Sequence, residues 1–378
     1  MSGRAVGICL ALVVVGAAGL GLAFGASARD GWLWLIFDFI FFWGIAAGML
    51  VWAAAFRTAQ ATWTAVINRF AHAALPFVTL LFGVLIALLA GLCAYAPWVA
   101  HPIREKLAWL SIPSFVVREV IAAPLFWIPC MLLVRRSLAA DAVSQITDRT
   151  ASGINHMAVV SVFAFCITAS IVAWDFVMSL SPEWVSTMFS VYYFCTAAYT
   201  GMAALVLMAT ALRKPMGLED RLKPHLFQDM GNLLLAFSLF NMGLFFAQYV
   251  TIWYENLPEE VRFIILRYDK GIWPPIGWAS FILGYAIPFL LLQSRMIKLN
   301  PKLNSAVAAL ILLGVGIERY VMVIPSLSPR TPMIAPAGVL SVLGFAGLFV
   351  LSLGWFLGRY STISSADAVL RKPEDTVE

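Results

Sequence analysis

Charge is scarce in this sequence. Only 12% of its 378 residues are Asp, Glu, Lys or Arg, while 62% are apolar. A soluble domain of that length needs far more charge to cover its surface, so a water-soluble globule is excluded. Histidine is scarcer still, with 4 residues. The 5 cysteines (Cys9, Cys93, Cys130, Cys166 and Cys195) include no CxxC pair. That argues against an iron–sulfur or zinc site in this chain and for small buried apolar residues. No Walker sequence, dinucleotide fingerprint, HExxH or GxSxG with partners is present. A haem held by this chain is disfavoured too, because a membrane b-type haem needs two axial ligands inside a bundle and the histidines fall near span ends. Segments of alternating polarity are missing, which excludes an outer-membrane barrel.

What the sequence has is ten apolar runs, each long enough to cross a bilayer as a helix. The spans are expected near 5–26, 32–56, 70–96, 114–136, 156–180, 186–212, 228–254, 272–294, 303–324 and 334–357. The fold class is therefore an all-α polytopic membrane protein. The first run follows Arg4 and precedes Ala26-Ser27-Ala28, which is similar to a signal peptide. The run is long for that purpose and is read as a retained first span.

The net charge of +5 comes from loop Lys and Arg, which points to membrane topology and not to nucleic acid. Most of these cations lie in the N-terminus, the loops after spans 2, 4, 6 and 8, and the C-terminal tail. Both termini are thus expected to be cytoplasmic, in a bacterial inner membrane.

A faint repeat has a period near 150 residues. His72 opens span 3 as His225 opens span 7; Arg118 precedes or enters span 4 as Arg267 precedes span 8; Gly48-Met49 echoes Gly201-Met202. Two parallel four-helix bundles follow, residues 32–180 and 186–324, with flanking helices in 1–31 and 334–378.

On this topology, Asp38, Arg118, Asp175, Glu318 and Arg319 all fall in the periplasmic half. Ionisable groups in a bilayer are costly, so they are candidates for a shared site that handles protons, with the arginines as counter-charges. Trp174, Tyr249 and Trp253 lie at similar depth and are weak candidates for holding a ring. His72, His225 and Asp229 could begin a cytoplasmic half-channel continuing through Asn241 and Gln248.

Two strings carry a resemblance. Ala173–Tyr193 reads AWDFVMSLSPEWVSTMFSVYY, and Gly231–Glu260 reads GNLLLAFSLFNMGLFFAQYVTIWYENLPEE. With Ser-Phe-Val-Val-Arg118 before span 4, they resemble the NrfD-like (polysulfide-reductase-type) membrane subunits, most closely the ActF-type subunit of alternative complex III. The resemblance implies ten helices in two four-helix bundles. It implies a sister ActC-type subunit, a periplasmic iron–sulfur subunit and c-type cytochrome subunits as partners, in a complex that oxidises menaquinol or ubiquinol. Carried over by motif, the polar residues are Asp175, His225, Asp229, Gln248 and Glu259. Ser181 stands where Asp is expected, and Asn241 where an aromatic is usual. The alternatives are a purely structural anchor for redox subunits and a stand-alone secondary transporter.

Overall fold

The computed structural model describes residues 3–141, 147–328 and 336–363. Among these no strand occurs, and ten helices are long and apolar enough to cross a membrane. In hydrocarbon each backbone N–H and C=O must bond within its own segment, so unbroken apolar sequence can only become helix. The helices are α1 (Gly3–Ala26), α2 (Ala28–Thr58), α3 (Ala65–Ala90), α4 (Ile112–Ala140), α5 (Arg149–Leu180), α6 (Thr187–Arg213), α7 (Pro224–Glu255), α8 (Pro274–Leu292), α9 (Pro301–Leu327) and α10 (Pro336–Arg359). With ten crossings the two ends of the chain share one face, here the terminal face. The other is the far face.

Helices α2 to α5 pack in a closed ring, α2 on α3, α3 on α4, α4 on α5 and α5 on α2. Helices α6 to α9 close a second ring in the same order, and the rings meet mainly where α2 lies on α6. That seam is made by the two glycines of the repeat. A Cβ on Gly48 would sit 2.0 Å from the Ala197 carbonyl oxygen, and one on Gly201 would sit 2.2 Å from the Gly48 carbonyl carbon. Small residues let membrane helices approach backbone to backbone, where van der Waals packing replaces the missing hydrophobic drive. The indole of Trp52 donates across the same seam to the Ala198 carbonyl at 2.7 Å. Outside the rings, α1 and α10 pair through Gly16 against Gly344, and α10 also leans on α2 and α3.

Several boundaries differ from the sequence reading. Helix α3 begins at Ala65, not near 70, because Asn68 and Arg69 are buried: Arg69 pairs with Asp141, and Asn68 donates to Thr64. His72 is consequently carried inside, 3% exposed, where the helix loosens at Ala73 and Ala74 before Pro76. Helix α8 contains a π-helical stretch, Ile282–Ala286, packed through Gly284 on Gly314 of α9. Of the cysteines, Cys9, Cys130 and Cys195 are buried as expected, Cys166 is half-buried and Cys93 is exposed in the turn after α3.

Candidate functional site

The far end of the first ring holds the most developed polar site. Arg118, two turns into α4, reaches α5 and grips Asp175 with two parallel bonds, Nε to Oδ2 at 2.8 Å and Nη2 to Oδ1 at 2.7 Å. Its remaining Nη1 donates to the Trp109 carbonyl and to Ser114 Oγ, both at 3.2 Å. The Trp109 ring covers the guanidinium from 3.8 Å. A paired, hydrogen-bonded and aromatic-capped arginine is the arrangement in which a charge survives near hydrocarbon. The next residue, Glu119, lines a small void inside the first ring. It is 1% exposed, its carboxyl neighbours that of Asp175, and its Oε1 has no hydrogen-bond partner.

Cavities flank this group. Toward the far face, a pocket of about 320 Å³ is walled by Trp109, Trp174, Trp184 and Lys106. That volume suits a single aromatic ring with substituents. Lys106 Nζ donates to the Pro182 carbonyl, and burial lowers its pKa from the ordinary lysine value against the raising influence of Glu260, Glu105 and Glu183. Toward the middle, a void of about 20 Å³ lies among Glu119, Thr168, Phe39 and Phe82, which is room for one water. Tyr95, buried in the segment after α3, sits beside both acids; burial first, and then the charges of Glu119 and Asp175, raise its pKa.

Below the void the first ring is plugged. Trp43, Phe126 and Phe165 stand at mid-helix in α2, α4 and α5; Trp43 stacks on Phe165 at 6.4 Å, and each contacts Phe126. Polar groups resume near the terminal face, where Arg57 Nε donates to Asn155 at 2.7 Å and Arg69 meets Asp141.

The second ring carries a different site. Glu318 of α9 accepts from Tyr285, in the π-helical turn of α8, at 2.7 Å, and from Tyr192 of α6. Arg319 reaches the same helix, α6, donating to Thr196 and lying 4.3 Å over the Tyr193 ring. Tyr193 also lies near enough to Glu119 and Glu318 to feel both charges.

The five candidate residues of the far half are therefore not one cluster. Arg118 and Asp175 are together in the first ring; Glu318 and Arg319 are in the second, where both reach α6. Asp38 is apart from both, fully buried and bonded by Ser341 of α10 at 2.6 Å. Position along each helix could be counted in the sequence, but helix rotation could not.

The aromatic trio does not assemble either. Trp174 walls the far pocket, while Trp253 is 69% exposed at the end of α7 and Tyr249 is half-buried on that same helix. The half-channel also divides. His72 is buried in the first ring, whereas His225 is exposed and Asp229 half-buried at the start of α7 in the second. Asn241 and Gln248 lie on the buried stripe of α7, with Asn241 Nδ2 donating to its own helix at Phe237. The side chain of Glu259 lies outside the described residues.

Sequence reasoning noticed Glu119 and Tyr192 at the outer ends of their spans without choosing them as site residues, and passed over Tyr285. Glu119 had a signal, a carboxyl beside Arg118 deep in an apolar run. Tyr285 had none, since nothing in its neighbours announces a π turn.

Among the described residues no group of His, Cys, Asp and Glu is placed to hold a metal ion. A scan of protein-family models finds no match to this chain, and a search of curated proteins finds none.

Proposed function

We propose that this chain is an integral subunit of a quinol:electron-acceptor (cytochrome c) oxidoreductase complex of the NrfD-like kind, in a bacterial inner membrane with both termini cytoplasmic. The observation that carries the reading is the far end of the first ring: a tryptophan-walled pocket whose Trp109 covers Arg118, the partner of Asp175, with the open oxygen of Glu119 beside that pair. Oxidation of a quinol releases two protons with its two electrons. The pocket is of the size and character to receive the ring of menaquinol or ubiquinol. Asp175 and Glu119 offer two carboxyls against one guanidinium, a group that balances its charge when one carboxyl holds a proton. Such a group can take up a proton and pass it on. Electrons leave to iron–sulfur and c-type haem groups in partner subunits, beside a sister ActC-type chain.

The test is turnover in the intact complex. Glu119→Gln and Asp175→Asn are expected to slow quinol oxidation by about 100-fold, the typical weight of one acid–base group. Unchanged turnover and unchanged proton release in an assembled complex would remove both residues from the mechanism.

A purely structural anchor is the second reading. It is favoured by the pairing of the acids in the far half: Asp175 with Arg118, Glu318 with two tyrosines, Asp38 with Ser341. On that reading the same substitutions alter assembly or nothing.

A further inference from the structure

Helix α10 stands away from the second ring and leaves a cleft of about 1430 Å³, walled by α2, α6, α8, α9 and α10. Its lining is apolar almost throughout and runs on α10 from Val342 to Gly358. That is about 24 Å of helix rise, most of a hydrocarbon core of about 30 Å. The two ends differ. At the terminal face the lining residues Leu212 and Pro215 bracket Arg213 and Lys214, and the lining residue Gly358 is followed by Arg359. Arg213 Nε is buried with no hydrogen-bond partner, and Arg359 lies over Trp355 at 5.7 Å, an interfacial placement. Glu219 and Asp220 follow in the same loop, but both are exposed, and no ion pair joins them to these cations among the described residues. A Cβ placed on Gly358 meets nothing within 4 Å, so the mouth is open.

We propose that this cleft binds an anionic diacyl phospholipid of the terminal-face leaflet, with its phosphate among Arg213, Lys214 and Arg359 and its acyl chains between α10 and the second ring. Three cations at one end of an apolar cleft complement a headgroup of opposite charge. Guanidinium matches phosphate with paired bonds. The chains cover the half of the cleft nearer that face, about 15 Å of a leaflet, and hold α10 at its distance from α9. The site is separate from the far-face group and does not depend on the function proposed above.

Native mass spectrometry of the purified protein, in its complex where it is isolated as one, tests this with two probes. Phosphatidylglycerol and phosphatidylethanolamine of identical chains are added in turn. The wild type should retain phosphatidylglycerol preferentially, and Arg213→Gln with Arg359→Gln should erode that preference by about fivefold per cation removed. Gly358→Leu, which places a side chain in the mouth at a position where a Cβ meets nothing, should weaken both lipids alike. Equal retention by the wild type, or a preference unchanged in the double variant, overturns the proposal. So does a co-purifying membrane-spanning polypeptide that excludes both lipids and is released by Gly358→Leu, because the occupant is then a partner helix.

Discussion

Gly48 and Gly201 meet backbone to backbone where α2 crosses α6, and each is the other's counterpart in the repeat. Neither position tolerates a Cβ without moving main chain. Gly201→Ala should therefore cost about 3 kcal/mol or more, at the upper end of overpacking. Gly83→Ala is the control: its Cβ meets nothing within 4 Å, and it should be neutral or slightly stabilising. Thermal unfolding of the two purified variants decides, and equal behaviour would discount the seam.

The Arg118–Asp175 pair makes a sharper claim about charge. Removing one partner strands the other in a buried site, which costs about 3–5 kcal/mol. Arg118→Met should thus be strongly destabilising, and adding Asp175→Asn should recover part of the loss. Strict additivity of the two substitutions in unfolding experiments would mean that the ions do not interact.

Glu119 has a spectroscopic signature. If one of the two carboxyls holds a proton, infrared spectra of the membrane-embedded protein should contain a protonated-carboxyl carbonyl band that moves on exchange into heavy water. Glu119→Gln should abolish that band. A band that persists unaltered in the variant assigns the proton elsewhere.

The tyrosine clamp on Glu318 predicts a graded loss. Each hydroxyl donates to a carboxylate, a bond worth about 1.5–3 kcal/mol. Tyr192→Phe and Tyr285→Phe should each cost about that much, while in Glu318→Gln the same substitutions should cost markedly less. A double-mutant cycle with no coupling between Tyr285 and Glu318 would contradict the geometry.

How much of this was legible beforehand follows from what each signal encodes. Length and unbroken apolarity define membrane helices, so all ten were readable. The glycine echo was visible in the sequence, although its meaning, a contact between the two copies, needs three dimensions. Position along a helix can be counted from its ends, which is how Asp38, Asp175 and Glu318 come to be read at one level. Rotation about the helix axis cannot be counted that way in a span apolar all round, because no polar face marks which side looks inward. That is why one expected cluster became three sites. The start of α3 was missed for a related reason: the partner of Arg69, Asp141, is 72 residues away, so nothing beside Arg69 in the sequence marks it as buried helix.

The rings of Trp43, Phe126 and Phe165 have an electrical consequence. Carrying one elementary charge through 100 mV costs about 2.3 kcal/mol. In ordinary lipid that work is spread over the whole hydrocarbon thickness. In the first bundle, a charge would have to pass this layer and then the apolar turns of α2 between Trp43 and Arg57, with no charged side chain of α2 along that stretch. The bundle thus insulates its two charged layers from one another, and a proton on Glu119 has its shorter way out toward the far face.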